Sequence, residues 1–245
     1  IVKAMFADKA FANEIKMSGV NSINWARIIA QSVYYFYSYF LVKDNGDPIN
    51  FSVPTGNFGD VYAGYLAKKI GLPINKFVVA TNQNDILHRA ITNGAYKVEN
   101  VLETISPSMD IQIASNFERL IFDLNDHSDK KTIDVMRSIK EKGKYEIEKE
   151  FLDKINVDFL SSRMDENEVL NTIKSVYEKF DKILDPHSAI GYGAFDKVNL
   201  KGNNIVLATA HPCKFPGAIE KAINIKAKLP SELEFILDEK ENYDI

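Results

Sequence analysis

Residues 51–71 read FSVPTGNFGDVYAGYLAKKIG, and they change from a strand pattern to a helix pattern. The apolar run INFSVP ends at a proline, and VYAGYLAKKIG then places apolar residues at helical spacing up to Gly71. Between the two, Gly56 and Gly59 bracket an asparagine and a phenylalanine. Because glycine reaches backbone angles that other residues avoid, we predict a strand, a glycine loop and a helix in succession.

The glycine loop, residues 55–60, has two interpretations from its residues alone. Its amide N–H groups and those of the following helix can surround a concave site that suits an anion, above all phosphate. The same glycines also fit a plain strand-to-helix turn. The loop lacks the Gly-Lys-Ser/Thr of a nucleotide P-loop and the GxGxxG spacing of a dinucleotide site. A phosphate-bearing cofactor other than a nucleotide is therefore the favoured ligand class, with Asp60 facing away or capping the helix.

The wider pattern predicts an α/β protein whose parallel sheet is flanked by helices. Two further apolar runs, KFVVATN and NNIVLATAHP, read as strands, with helical patterns between them. The charge-rich stretch 128–184 reads as mostly helical, and we predict that it is a helical insertion or cap. The predicted division is a sheet domain over 1–127, this insertion, and a return to the sheet domain over 185–245.

The most apolar run, INWARIIAQSVYYFYSYFLV at 23–42, is predicted to be a buried helix. It contains Asn24, Arg27 and Gln31, which a membrane-spanning helix would disfavour. No other run is long and apolar enough to cross a bilayer. We therefore expect no membrane partner.

Composition narrows the function further. The chain has 245 residues, of which 45% are hydrophobic and 26% charged, as is typical of a folded protein. A net charge of −4 provides no general attraction to nucleic acid, so no nucleic-acid partner is expected. The single cysteine, Cys213, fits a reducing compartment, and we expect a cytoplasmic protein. His88, His127 and His187 show no metal-ligand spacing, so no metal site is assigned.

Four stretches, in this order, resemble the threonine synthase family, pyridoxal 5′-phosphate (PLP) enzymes with the tryptophan-synthase-β-like fold, called fold type II. They are NSINWAR at 21–27, SVPTGNFGDVYAGYLAKKIGLPI at 52–74, DPHSAIGYGA at 185–194 and LATAHPCKFP at 207–216. The resemblance extends over essentially the whole chain, but only over the C-terminal half or so of such an enzyme.

This resemblance implies a cofactor site and a substrate site. The hydroxyl of Thr209 would bond the pyridine nitrogen of PLP, and Arg27 would bind the substrate phosphate, which its planar fork matches. The backbone amides that would hold the cofactor phosphate belong to Gly56, Asn57, Phe58, Gly59 and Asp60. The other candidate substrate contacts are Asn21, Ser22, Asn24 and Lys214. By contrast, Ser115, Asn116 and Arg119 read as helix capping and surface pairing.

The implied activity is that of a carbon–oxygen lyase acting on phosphate in threonine biosynthesis. It converts O-phospho-L-homoserine and water to L-threonine and phosphate. The Schiff-base lysine of the family lies in its N-terminal half, in a motif that this sequence does not contain, so no catalytic residue is assigned. We expect a fragment that is inactive without that half. The alternatives are a threonine-synthase-like phospho-lyase, which yields an oxo acid, and a non-catalytic α/β fragment that binds a phosphate-bearing ligand.

Overall fold

The computed structural model describes residues 5, 8–17, 19, 21–43 and 46–241, so both outer ends of the predicted domains lie outside the described residues. The helices are α1 (Lys9–Glu14), α2 (Trp25–Val42), α3 (Gly59–Lys69), α4 (Ile86–Asn93), α5 (Phe117–Leu124), α6 (Asp129–Lys142), α7 (Lys149–Asp158), α8 (Glu166–Phe180), α9 (Pro186–Val198) and α10 (Pro216–Ile223). The strands are β1 (Ile49–Pro54), β2 (Lys76–Thr81), β3 (Ala95–Lys97), β4 (Lys144–Glu146), β5 (Phe159–Arg163) and β6 (Asn203–Val206). Short 3₁₀ turns lie at Pro107–Met109, Pro212–Lys214 and Ser231–Asp238.

The main sheet is parallel and has the strand order β5–β2–β1–β6, which confirms the predicted α/β class. The chain winds from β1 outward through β2 to β5 and then returns to the other side of β1 as β6. The winding direction therefore reverses between β1 and β6. Open α/β sheets bind their ligands at the carboxyl ends of the strands that flank such a reversal.

Helices cover both faces of this sheet, since successive side chains of a strand point to opposite faces. Phe77 and Val79 of β2 pack in the larger core cluster, together with Tyr35 of α2. Val78, between them, packs in the second cluster with Ile190 of α9. Burial on both faces explains why β1 and β2 read as continuous apolar runs.

The stretch 128–184 is mostly helical, as predicted, but it is not an insertion throughout. Phe159–Arg163 forms β5, which pairs in parallel with β2 at the edge of the main sheet. The buried Phe159 ring stacks on that of Phe77, with the centroids 5.5 Å apart. The sequence FLSSR has no clear strand pattern, so pairing with β2 rather than local preference makes it a strand.

The prediction of a helix for residues 23–42 is confirmed by α2, but the prediction that this helix is buried is wrong. α2 buries only Ile28 and Tyr35 fully, whereas Val33, Tyr37 and Leu41 are 60%, 67% and 63% exposed. What we call the exposed face of α2 comprises Ile29, Val33, Tyr34, Tyr37, Phe40 and Leu41. A contiguous apolar face of this kind is typical of an interaction surface. Of the helices described, α2 included, none combines the length and hydropathy that a bilayer crossing requires.

Candidate functional site

The glycine loop leaves β1 at Pro54 and enters α3 at Gly59. Its left-handed residue is Phe58, with φ +64°, and neither Gly56 nor Gly59 has a positive φ. Phe58 tolerates this strained conformation because its ring is buried and packs edge-on against Phe117, with the centroids 5.2 Å apart. Core packing therefore sets the shape of the loop.

The two glycines are required by close approach rather than by backbone angle. A Cβ on Gly56 would lie 2.6 Å from the carbonyl oxygen of Ser108. A Cβ on Gly59 would lie 3.2 Å from Nδ2 of Asn116 and 3.4 Å from the carbonyl oxygen of Ser22. The two glycines are therefore needed for the absence of a side chain, and not for the conformational freedom that the sequence predicts.

The loop presents a row of amide donors. The N–H groups of residues 56–60 donate to no acceptor among the described residues. The amides of residues 56–58 precede α3, and those of Gly59 and Asp60 belong to its first turn, where the amides of a helix have no partner within the helix. The loop residues line a recess of about 160 Å³, which Arg27 and Gln31 of α2 also line. Because the partial positive charge of a helix N-terminus adds to these donors, the recess suits a tetrahedral anion.

The segment before α5 holds the loop in place. Asn116 is fully buried, and its Nδ2 donates to the carbonyl oxygens of Ser22, at 2.9 Å, and Asn57, at 3.1 Å. The Asn116 amide N–H donates to Asn57 as well, at 3.0 Å. The hydroxyl of Ser115 donates to Oδ1 of Asn57 at 3.2 Å. Asn116 is the N-cap residue of α5, as its predicted place at a helix start implies, but its side chain makes no capping bond there and instead holds the loop. Such bonds to distant segments leave no local pattern in the sequence.

Of the four substrate candidates in 21–27, Ser22 and Arg27 line the recess of the glycine loop. Asn24 is engaged as the N-cap of α2, where Oδ1 accepts from the Ala26 N–H at 2.9 Å. Asn21 accepts from the N–H of Ile23 at 3.1 Å and does not line this recess.

The Arg27 guanidinium is exposed and has no acidic partner among the described residues. The arginines of that part of the chain that form ion pairs are Arg89, Arg137 and Arg163. Arg27 therefore keeps its planar set of donors available beside the loop, as an anion-binding arginine requires.

Thr209 lies just past the end of β6, at the same edge of the sheet as the glycine loop. It lines a second recess of about 480 Å³. Asp60 and Gln31 line both recesses, so the two are neighbours across these side chains. Lys214 is exposed and lines neither one, and its role as a substrate contact stays a prediction.

Asp60 is the acidic group of this site. Burial raises its pKa to about 6, although the hydrogen bond from Tyr35 lowers it. The Tyr35 hydroxyl donates to the Asp60 carbonyl oxygen at 2.8 Å and reaches Oδ1 at 3.4 Å. The Asp60 side chain does not cap α3, because no side-chain cap bond is present at this helix start. Its ionisation instead adds a negative charge beside the recess as pH rises through about 6.

These features place a loop that suits an anion and a hydroxyl residue on either side of the reversal between β1 and β6. The parallel sheet flanked by helices that carries them is the fold of type II PLP-dependent enzymes. The structure superposes on the PLP-bound threonine synthase from Brucella melitensis with a TM-score of 0.95 and 44% identity, covering 99% of this chain and 52% of that one. It superposes on the threonine synthase from yeast with a TM-score of 0.89 and 40% identity, covering 98% and 52%.

The sequence is 42% identical to the threonine synthase of Pseudomonas aeruginosa over an alignment of 244 positions, which covers 98% of this chain and 52% of that protein. The family model "Threonine synthase, C-terminal" matches residues 188–245. The chain therefore belongs to the threonine synthase family, and the resemblance noted in the sequence is confirmed. It spans about half the length of the curated relatives that it matches.

Proposed function

We propose that this chain is the C-terminal half of a PLP-dependent threonine synthase, which converts O-phospho-L-homoserine and water to L-threonine and phosphate. The observation that carries the proposal is the pair of adjoining recesses. One is lined by the amides of residues 56–60, which have no acceptor in the described part of the chain, and the other by Thr209. We use the term "complete enzyme" for this chain joined to the N-terminal half that its relatives have.

The cofactor phosphate would be held by the amides of residues 56–60. Hydrogen bonds to a charged group contribute about 1.5–3 kcal/mol each, so several amides can anchor a phosphate without a lysine or arginine. The Thr209 hydroxyl would bond the pyridine nitrogen as a neutral partner that does not enforce its protonation. When bound, PLP supplies the electron sink that stabilises negative charge on the substrate carbon beside the amino group.

The substrate phosphate would be bound by Arg27, with the Ser22 hydroxyl as a second donor. Both side chains line the loop recess, and Arg27 has no competing acidic partner in the described part of the chain. A bidentate guanidinium would orient the phosphate and stabilise the charge that it carries away as it leaves.

A proton-transferring amine would have to come from outside these two recesses. Among the described residues, those that line them include no lysine. This supports the expectation that the isolated chain is inactive and that the Schiff-base lysine belongs to the N-terminal half.

The N-terminal half would cover the exposed face of α2. That helix lines the loop recess with Arg27 and Gln31 and leaves Val33 and Tyr37 in water. A domain closing over the recess would bury this face together with the cofactor, which would exclude water from the reaction. A cytoplasmic location is retained as part of the proposal.

The test compares the isolated chain with the complete enzyme on O-phospho-L-homoserine, after an intact-mass measurement of the natural protein. Equal amounts of L-threonine and phosphate from the complete enzyme, and neither from the isolated chain, are expected. Phosphate released with an oxo acid would replace the proposal with the phospho-lyase. PLP binding without turnover in the complete enzyme would leave only a phosphate-ligand-binding protein. Threonine formation by the isolated chain would contradict its predicted inactivity.

A further inference from the structure

Asp185, His187 and Ser188, at the start of α9, form a buried polar cluster that the proposed chemistry does not use. Their residues are 1%, 3% and 2% exposed. Asp185 Oδ1 accepts from the backbone N–H of His187 at 2.9 Å and from its Nδ1 at 3.0 Å. Asp185 Oδ2 accepts from the Ser188 hydroxyl. A buried carboxylate with this many donors is more than a helix cap, which needs a single bond.

One arm of this cluster leads to Thr209. The Ser188 oxygen accepts from the Thr209 backbone N–H at 3.2 Å. Because the Ser188 hydroxyl donates a hydrogen bond to Asp185, its oxygen remains free to accept one from the Thr209 N–H. The residue proposed to contact the pyridine nitrogen is thus anchored through Ser188 to Asp185.

The other arm leads to the glycine loop. Nε2 of His187 accepts from the Ser108 N–H at 3.3 Å, which requires a neutral ring with its proton on Nδ1, facing Asp185. The carbonyl oxygen of Ser108 is the atom nearest to the position that a Cβ on Gly56 would occupy. The His187 ring also packs on Phe215, with the centroids 4.8 Å apart.

The protonation of Asp185 follows from these contacts. Burial alone raises its pKa, and the hydrogen bonds from His187 and Ser188 outweigh burial, so the net pKa is lowered. The carboxylate is therefore ionised at neutral pH and accepts from both arms.

We propose that Asp185 is a positioning residue that holds the two ends of the cofactor site in register, Thr209 through Ser188 and Gly56 through His187 and Ser108. This inference rests on the proposed function. Asp185 lines neither the loop recess nor the Thr209 recess. It would act by setting the distance between Thr209, which would meet the ring, and the loop, which would meet the phosphate.

The test uses Asp185→Asn in the complete enzyme, because asparagine caps a helix as well as aspartate does. The matched control is Asp165→Asn, which alters the capping aspartate of α8, where Asp165 accepts from the Glu168 N–H at 2.9 Å. Readouts are PLP affinity by fluorescence titration, the visible absorption spectrum of bound PLP, and unfolding by urea. Asp185→Asn is expected to weaken PLP binding about tenfold or more and to shift the spectrum, and Asp165→Asn to change neither.

Two further variants separate the arms and keep the test decisive if Asp185→Asn does not fold. Ser188→Ala is expected to shift the spectrum while inorganic phosphate binding is retained. His187→Phe keeps the packing on Phe215 and is expected to weaken inorganic phosphate binding with little spectral change. Wild-type spectra and affinities in Ser188→Ala and His187→Phe, or equal effects of Asp185→Asn and Asp165→Asn, would overturn this inference alone. Failure of the wild-type complete enzyme to bind PLP would overturn the proposed function and this inference together.

Discussion

The carbonyl oxygen of Ser108 lies 2.6 Å from the position that a Cβ on Gly56 would occupy. A backbone atom cannot turn aside as a side-chain end can, so the two segments touch only while residue 56 is glycine. This contact joins the 3₁₀ turn at Pro107–Met109 to the glycine loop, although about fifty residues of sequence lie between them.

Gly56→Ala is therefore expected to displace the loop and to weaken PLP binding by about tenfold or more in the complete enzyme. Gly217→Ala is the control, because a Cβ there meets no atom within 4 Å. Fluorescence titration with PLP measures both. Equal affinities for the two variants would show that the loop does not depend on this close approach.

Phe58→Ala is expected to destabilise the isolated chain by about 3–5 kcal/mol, since a fully buried ring is lost and a left-handed residue remains. Phe58→Gly loses the same packing but relieves the left-handed strain, so it should be no less stable than Phe58→Ala. Phe180→Ala, at a residue 48% exposed, is the control and should change the free energy of unfolding little. Urea denaturation decides the order, and a stability of Phe58→Ala near that of wild type would contradict it.

Asp60 predicts a pH dependence of stability. Its folded pKa of about 6 is raised above the unfolded value, so the protonated form favours folding. That contribution is fully present below about pH 4 and is lost as pH rises through about 6. In Asp60→Asn, the free energy of unfolding should no longer fall between pH 4 and 6. In Asp134→Asn, which changes an exposed carboxylate, that fall should remain.

Tyr35→Phe should raise the pKa of Asp60 further, because it removes the hydrogen bond that lowers it. Carbon-detected NMR titration of the Asp60 carboxyl measures the change directly. An unchanged or lower pKa in Tyr35→Phe would show that the Tyr35 hydroxyl does not stabilise the ionised form.

Arg27→Ala is expected to raise the KM for O-phospho-L-homoserine about 10- to 100-fold in the complete enzyme, the equivalent of one or more charge-assisted hydrogen bonds. Arg27→Lys should lie between this variant and wild type, because lysine keeps the charge but not the planar fork. Arg137→Ala, which removes an exposed ion pair with Asp134, is the control. Steady-state kinetics test the order, and a wild-type KM in Arg27→Ala would exclude this residue from phosphate binding.

The exposed face of α2 predicts a difference between the isolated chain and the complete enzyme. Val33→Asp should leave the isolated chain as stable as before, since Val33 is 60% exposed there. The same change should destabilise the complete enzyme by about 1–3 kcal/mol, because it buries a charge against the N-terminal half. Ile133→Asp, at an exposed residue of α6, should have no such differential effect. Equal unfolding energies for Val33→Asp and wild-type complete enzyme would leave the face without this partner.

Much of the fold could be predicted because local sequence patterns determine several of its strands and helices. The apolar runs predict the strands β1 and β2, and the glycines at 56 and 59 predict the loop that leads from β1 into α3. Local patterns did not predict β5, because the residues FLSSR become a strand only by pairing with β2. They also predicted a buried α2, although this helix has more apolar residues than the sheet covers.

The features of the candidate site likewise fall into those that local sequence determines and those that depend on contacts between distant segments. An anion-binding loop could be expected from residues 55–60, since unpaired amides at a helix start are a local property of the backbone. The left-handed conformation of Phe58 depends on packing against Phe117 of α5, and Asn116, at the start of α5, is buried against the glycine loop. No pattern near the loop encodes either contact. The junction of the loop with Thr209 exists only because β6 pairs with β1, across some 150 residues of sequence. Local residue chemistry thus predicts what the loop can bind, whereas contacts between distant segments decide where that ligand meets the rest of its site.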